Sequence, residues 1–156
     1  MGSTRWGLKG KGMEELYELR KYIESGKYQE ALLLLDEMEE MSRDDKINRI
    51  ASFMEVLLLH LIKQAVEKRT TKSWDVSIRN ALRQIVKLNK RRKAGGWYLT
   101  DEELLEALGE AYDSAVDSAS FEAHGGEHSA EEISTMLDRA AMLHLALEKI
   151  LATSGA

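Results

Sequence analysis

The sequence has no cysteine, no proline and only two phenylalanines among its 156 residues. Without cysteine there are no disulfide staples, thiolate zinc sites or thiol nucleophiles, so the fold rests on packing alone. Average usage of about 5% would supply roughly eight prolines; their absence suits long uninterrupted helices. Unbroken apolar runs such as Val56–Leu59 fall far short of the ~18 residues that a membrane span needs. The N-terminal residues include basic ones but no apolar h-region, so the expectation is a cytoplasmic protein that neither enters nor crosses a membrane. What remains is 44% hydrophobic and 31% charged, the balance of a folded domain rather than a disordered chain.

Residues 1–12 carry four glycines, Trp6 and three basic residues without apolar periodicity, and read as a flexible segment. From there to residue 152 the pattern is helical, with a flexible tail at 153–156. A first helix over about 13–24 stops at Ser25-Gly26, because glycine supplies the left-handed residue that closes a helix. A second, about 27–41, puts Tyr28, Ala31, Leu32, Leu35 and Met38 on one stripe and folds back on the first. Ser42 with Asp45 suggests a capped start for a third, about 43–69, apolar nearly all round near Val56–Ile62 and therefore central. That apolar surface makes self-association a second option. The fourth, about 73–93, turns Trp74, Ile78, Ala81, Leu82, Ile85 and Leu88 inward. Thr100 with Glu103, and Leu99 facing Leu104, mark a capping box and a hydrophobic staple for a fifth helix, about 101–122. Ser129 with Glu132 caps a sixth, about 130–152. No segment alternates with period two for long enough to be a strand, so the expected architecture is a single-domain all-α bundle of about six helices.

Charge is divided unevenly. Lys63 to Lys93 contains eleven basic and two acidic residues, a balance of +9, whereas 97–151 balances to −11 and 13–41 to −6. The net −5 conceals this division. Arg79 and Arg83 stand one turn apart and share a helix face. With Lys72, Lys87, Lys90, Arg91 and Arg92 they form a candidate binding surface, which Trp97 and Tyr98 could extend. Two occupants suit such a surface. One is an acidic protein or a second subunit. The other is nucleic acid, whose phosphates need several cationic donors and whose bases stack on aromatics; the net acidity of the molecule counts against it. A third possibility needs no partner: the acidic C-terminal helices neutralise the basic one internally.

Catalytic signals are sparse. His124-Gly-Gly-Glu127-His128 offers two imidazoles and a carboxylate, but on a glycine loop without the spacing of a helical metal pair. Asp113 and Asp117, one turn apart, read as a solvated face. No phosphate-binding loop, serine-nucleophile elbow or dinucleotide fingerprint occurs, and no metal or cofactor is expected. Arg139 and His144, five apart, are similar to the Arg-x4-6-His motif of helical HEPN ribonucleases, in which the arginine steadies phosphate charge and the histidine moves a proton. That spacing arises easily by chance, and Ala140 and Ala141 replace the polar residue that usually follows. The leading expectation is a non-enzymatic binding protein.

The run Leu57-Leu58-Leu59-His60-Leu61-Ile62-Lys63, then Ser73-Trp74, Ile78-Arg79 and Arg83, resembles the DUF29 family of small bacterial proteins over roughly residues 27–120. Asp113 stands where family members often carry a proline after the tyrosine. The resemblance implies an all-helical fold and no established activity, and it singles out His60, Trp74, Arg79 and Arg83.

Overall fold

Glycine breaks and capping side chains punctuate the chain much as its pattern suggests. A computed structural model describes residues 7–91 and 95–155, and within them the protein is all-α, with six helices and no strand. These are α1 (Gly7–Glu24), α2 (Tyr28–Glu67), α3 (Lys72–Asn89), α4 (Asp101–Glu122), α5 (Ala130–Thr135) and α6 (Arg139–Ser154), with a 3₁₀ turn at Ala123–Gly126. No helix among the described residues is long and apolar enough to cross a membrane.

Two of the three expected capped starts are present as capping boxes. The Thr100 hydroxyl accepts the Glu103 N–H at 3.2 Å, and the Glu103 carboxylate accepts the Thr100 N–H at 3.1 Å. Ser129 and Glu132 repeat the arrangement at the start of α5. Three boundaries differ from the sequence reading. Helices expected over 27–41 and 43–69 are one helix, α2, because Ser42 is flanked by Met41, Arg43 and glutamates that sustain a helix, and no glycine or proline interrupts them. The helix expected over 130–152 is two: Asp138 adopts extended backbone and its carboxylate accepts the Ala141 N–H at 3.1 Å, so it starts α6 afresh. The third is at α3, which opens one residue early, on Thr71, whose hydroxyl accepts the Trp74 N–H, and ends at Asn89 rather than 93. The flexible segments expected at the ends fall partly outside the described residues; α1 is helical from Gly7, and α6 runs through Ser154.

The chain divides into two compact units, the first ending at Asp45 and the second beginning at Lys46. The first holds α1 and the opening turns of α2, joined through Gly26 in the left-handed region (φ +74°). It buries Ala31 and Leu34 and leaves Leu16, Tyr17, Tyr28, Leu32 and Leu33 exposed.

The second unit contains the core. Ile50, Met54, Leu57, Leu58, Leu61 and Ile62 of α2 are fully buried among Ile85, Leu108, Ile133 and Ile150 from four later helices. Glu55 accepts the Ser114 hydroxyl at 2.8 Å, and Lys63 meets Glu122 at 2.9 Å, both 59 residues apart. A constant offset in the same direction means that α2 and α4 run parallel here. Helix α6 packs against both α3 and α4.

Candidate functional site

The inward stripe of α3 decides what its other face presents. Ile78, Ala81, Leu82, Ile85 and Leu88 are buried, which turns Lys72, Val76, Arg79, Arg83 and Lys87 to solvent. At 100° per residue those five lie within about 80° of arc, along a row of about 22 Å. Each of the four cations is exposed, and none has a carboxylate partner among the described residues. Like charges one turn apart, as in Arg79–Arg83 and Arg83–Lys87, each cost a helix about 0.2–0.5 kcal/mol. Among the described residues no ion pair offsets that cost, and only Lys87, in the last turn of α3, gains from the helix dipole. Internal neutralisation of α3 by ion pairs is therefore absent among the described residues.

The row continues into a short hairpin. Lys90 and Trp97 form an isolated antiparallel bridge, and the Arg91 N–H donates to the Gly96 carbonyl at 3.0 Å. Gly95 and Gly96 both sit at positive φ (+74° and +72°), a region that glycine enters without strain. Asn89 anchors it: buried, it accepts the Leu99 N–H at 2.8 Å and donates to the Leu99 carbonyl at 3.2 Å. Trp97 is 44% exposed, and the Tyr98 ring is flanked by the cations of Lys46 and Arg91. The structure thus joins Lys90, Arg91, Trp97 and Tyr98 at the C-terminal end of the α3 row. Arg92 lies outside the described residues.

Trp74, expected inside, is half-buried between two cations, with the Lys63 ammonium 4.7 Å and the Arg69 guanidinium 4.8 Å from its ring. Lys63 is 8% exposed and paired with Glu122. Burial alone would raise the Glu67 carboxyl, but the His124 N–H and the Arg69 guanidinium, which both donate to it, hold it below the ordinary carboxylate range. The sequence singles out Trp74 of this cluster but not its partners Lys63, Arg69, Glu67, Glu122 and His124, which lie elsewhere in the chain. His60 donates from Nδ1 to the Val56 carbonyl at 2.8 Å and is half-buried.

Arg139 and His144 line one groove between α4 and α6, of about 550 Å³, with Leu105, Leu143 and three glutamates, Glu102, Glu106 and Glu110. The Arg139 guanidinium donates to the Gly109 carbonyl at 3.1 Å and lies over the Tyr112 ring. It is already engaged, and three carboxylates beside it repel a phosphate. His124 and His128 stack edge to face at 5.5 Å, and His128 faces Glu132. Among the described residues no three histidine or carboxylate side chains are placed to share a metal ion.

No curated protein and no solved structure matches this chain. A family model described as a domain of unknown function, DUF29, matches residues 21–139. That span contains the apolar α2 run, the whole basic helix and its hairpin, and reaches beyond the resemblance read from the sequence at both ends. The chain belongs to the DUF29 family.

Proposed function

We propose that this protein is a non-enzymatic interaction module whose α3 face, Lys72, Arg79, Arg83 and Lys87 with Lys90 and Arg91 beyond, docks on an acidic protein surface. One observation carries the reading: four exposed cations share a single helix face and have no carboxylate partner among the described residues. Uncompensated like charge costs stability, and docking on carboxylates offsets that cost. The rigid inner stripe of α3 holds the row in place before any partner arrives, which limits the entropy lost on binding.

The test uses two fluorescent probes of equal length, a glutamate-rich peptide and a single-stranded oligonucleotide, titrated by anisotropy from low to high salt. The peptide is expected to bind, with affinity falling at least about tenfold in Arg79→Glu/Arg83→Glu, as for loss of two charge contacts. Binding of the oligonucleotide alone would replace this reading with nucleic-acid recognition. Binding of neither probe at low salt ends both.

A further inference from the structure

The acidic surface that suits α3 is present on the protein itself. Glu102, Glu106, Glu110, Asp113 and Asp117 of α4 are all exposed, and none has an ion-pair partner among the described residues. At 100° per residue they too fall within about 80° of arc, over a length of about 22 Å. The α3 row from Lys72 to Lys87 has the same length and the opposite sign.

We propose that two copies of this chain associate by laying the α3 row of one along the α4 row of the other. This deepens the reading above, on which it rests, by naming the acidic surface as a second subunit's. Three features favour this occupant. The rows match in repeat as well as length: Arg79, Arg83 and Lys87 recur every four residues, as do Glu102, Glu106 and Glu110. The α4 row also borders the α4–α6 groove, whose Leu105 and Leu143 can cover the methylene stems of incoming arginines while the guanidiniums meet Glu106 and Glu110. On the other side Val76, 44% exposed, gives the α3 row an apolar contact of its own. Finally, each copy carries both rows, so a closed pair satisfies all of them, whereas an unrelated acidic partner would leave every α4 row unmatched.

The size of the contact sets its strength. Two helix faces per copy, each about 22 Å by 10 Å, bury about 450 Å² a side, below the roughly 800 Å² of a standard interface. The association is therefore weak, fast and strongly screened by salt.

Sedimentation velocity on the full chain at low and high salt tests this, with Arg79→Glu/Arg83→Glu and Glu106→Lys/Glu110→Lys as variants of confirmed helicity. Wild type is expected to dimerise at low salt and dissociate at high salt. Either variant alone opposes like charge at both contacts and stays monomeric. Mixed, the two variants restore opposite charge at both contacts, and a heterodimer forms with affinity at least about tenfold above either variant alone. A dimer indifferent to both variants overturns the proposal, because it uses another surface. A wild-type monomer that still binds the glutamate-rich peptide overturns it while leaving the broader reading intact. A monomer that ignores the peptide overturns both.

Discussion

The Lys63 ammonium lies 2.9 Å from a Glu122 carboxylate oxygen and 4.7 Å from the centre of the Trp74 ring, so one buried cation joins the end of α2 to α3 and α4. The two partners are unequal, since Lys63 is 8% exposed and Glu122 is 49% exposed. Losing the carboxylate strands a buried charge, whereas losing the ammonium frees a carboxylate that water can reach. Glu122→Gln is expected to cost about 1–2 kcal/mol in urea unfolding, and Lys63→Met, which keeps the packing on Trp74, under about 1 kcal/mol. The opposite order would show that Lys63 does not depend on Glu122 for its charge.

Asn89 controls how the basic row ends. Its side chain fills both hydrogen-bonding groups of Leu99, which is buried at the entry to α4. Asn89→Ala leaves a buried N–H and a buried carbonyl unpaired and is expected to cost about 2–3 kcal/mol. Asn89→Asp still accepts from the Leu99 N–H but cannot donate back, and it brings a charge into the core, so it should be no less damaging. If the contact fixes the hairpin, amide exchange at Tyr98, whose N–H donates to the Asn89 carbonyl, should accelerate in Asn89→Ala before global unfolding.

Acid should weaken the fold partly through Glu67. Burial pushes its carboxyl up, but the donors from His124 and Arg69 outweigh burial and leave it below its ordinary value. A group depressed in the folded state stabilises above its unfolded pKa, near 4.3, and loses that contribution as pH falls through the folded value. The Glu132 carboxylate, held down first by the Ser129 N–H and then by His128, acts in the same direction. Glu67→Gln keeps an acceptor for the His124 N–H but cannot titrate. The gap between urea midpoints at pH 7 and pH 3.5 is expected to be smaller in Glu67→Gln than in wild type. An unchanged gap would exclude Glu67 from the acid response.

The legible parts of this protein are those with a local cause. Thr100 with Glu103 and Ser129 with Glu132 satisfy helix N–H groups within three residues, and the spacing of Ile78, Leu82 and Ile85 orients α3, so the cationic row followed from periodicity alone. Ser42 misled because a serine caps only where the backbone is already extended, and nothing nearby extends it. Asp138 is the converse case, a cap that splits a continuous apolar stripe through Met136 and Leu137. Partners distant in sequence were out of reach. Lys63 and Glu122 are 59 residues apart, and neither their pairing nor the shared groove of Arg139 and Glu106 has a local signature. The unpaired state of Arg79 and Arg83 was likewise undetermined, because opposite charges in a sequence do not reveal which helix faces meet.

Residues 46–156 should fold without the rest of the chain. Every member of the buried cluster, from Ile50 to Ile150, lies within that stretch, as do both capping boxes and all three ion pairs among the described residues. Among the described residues before Lys46, Ala31 and Leu34 are the buried apolar side chains, and several large apolar ones are exposed. A chain near 40 residues with so little core is too small to be stable unaided. The fragment 46–156 is expected to be helical by circular dichroism and to melt cooperatively, and the fragment 1–45 to show little helix and no cooperative transition. A non-cooperative 46–156 would mean that the core depends on residues before Lys46. A cooperative 46–156 that still dimerises in a salt-sensitive way would place the α3 and α4 rows, rather than the exposed leucines of the first unit, at the interface.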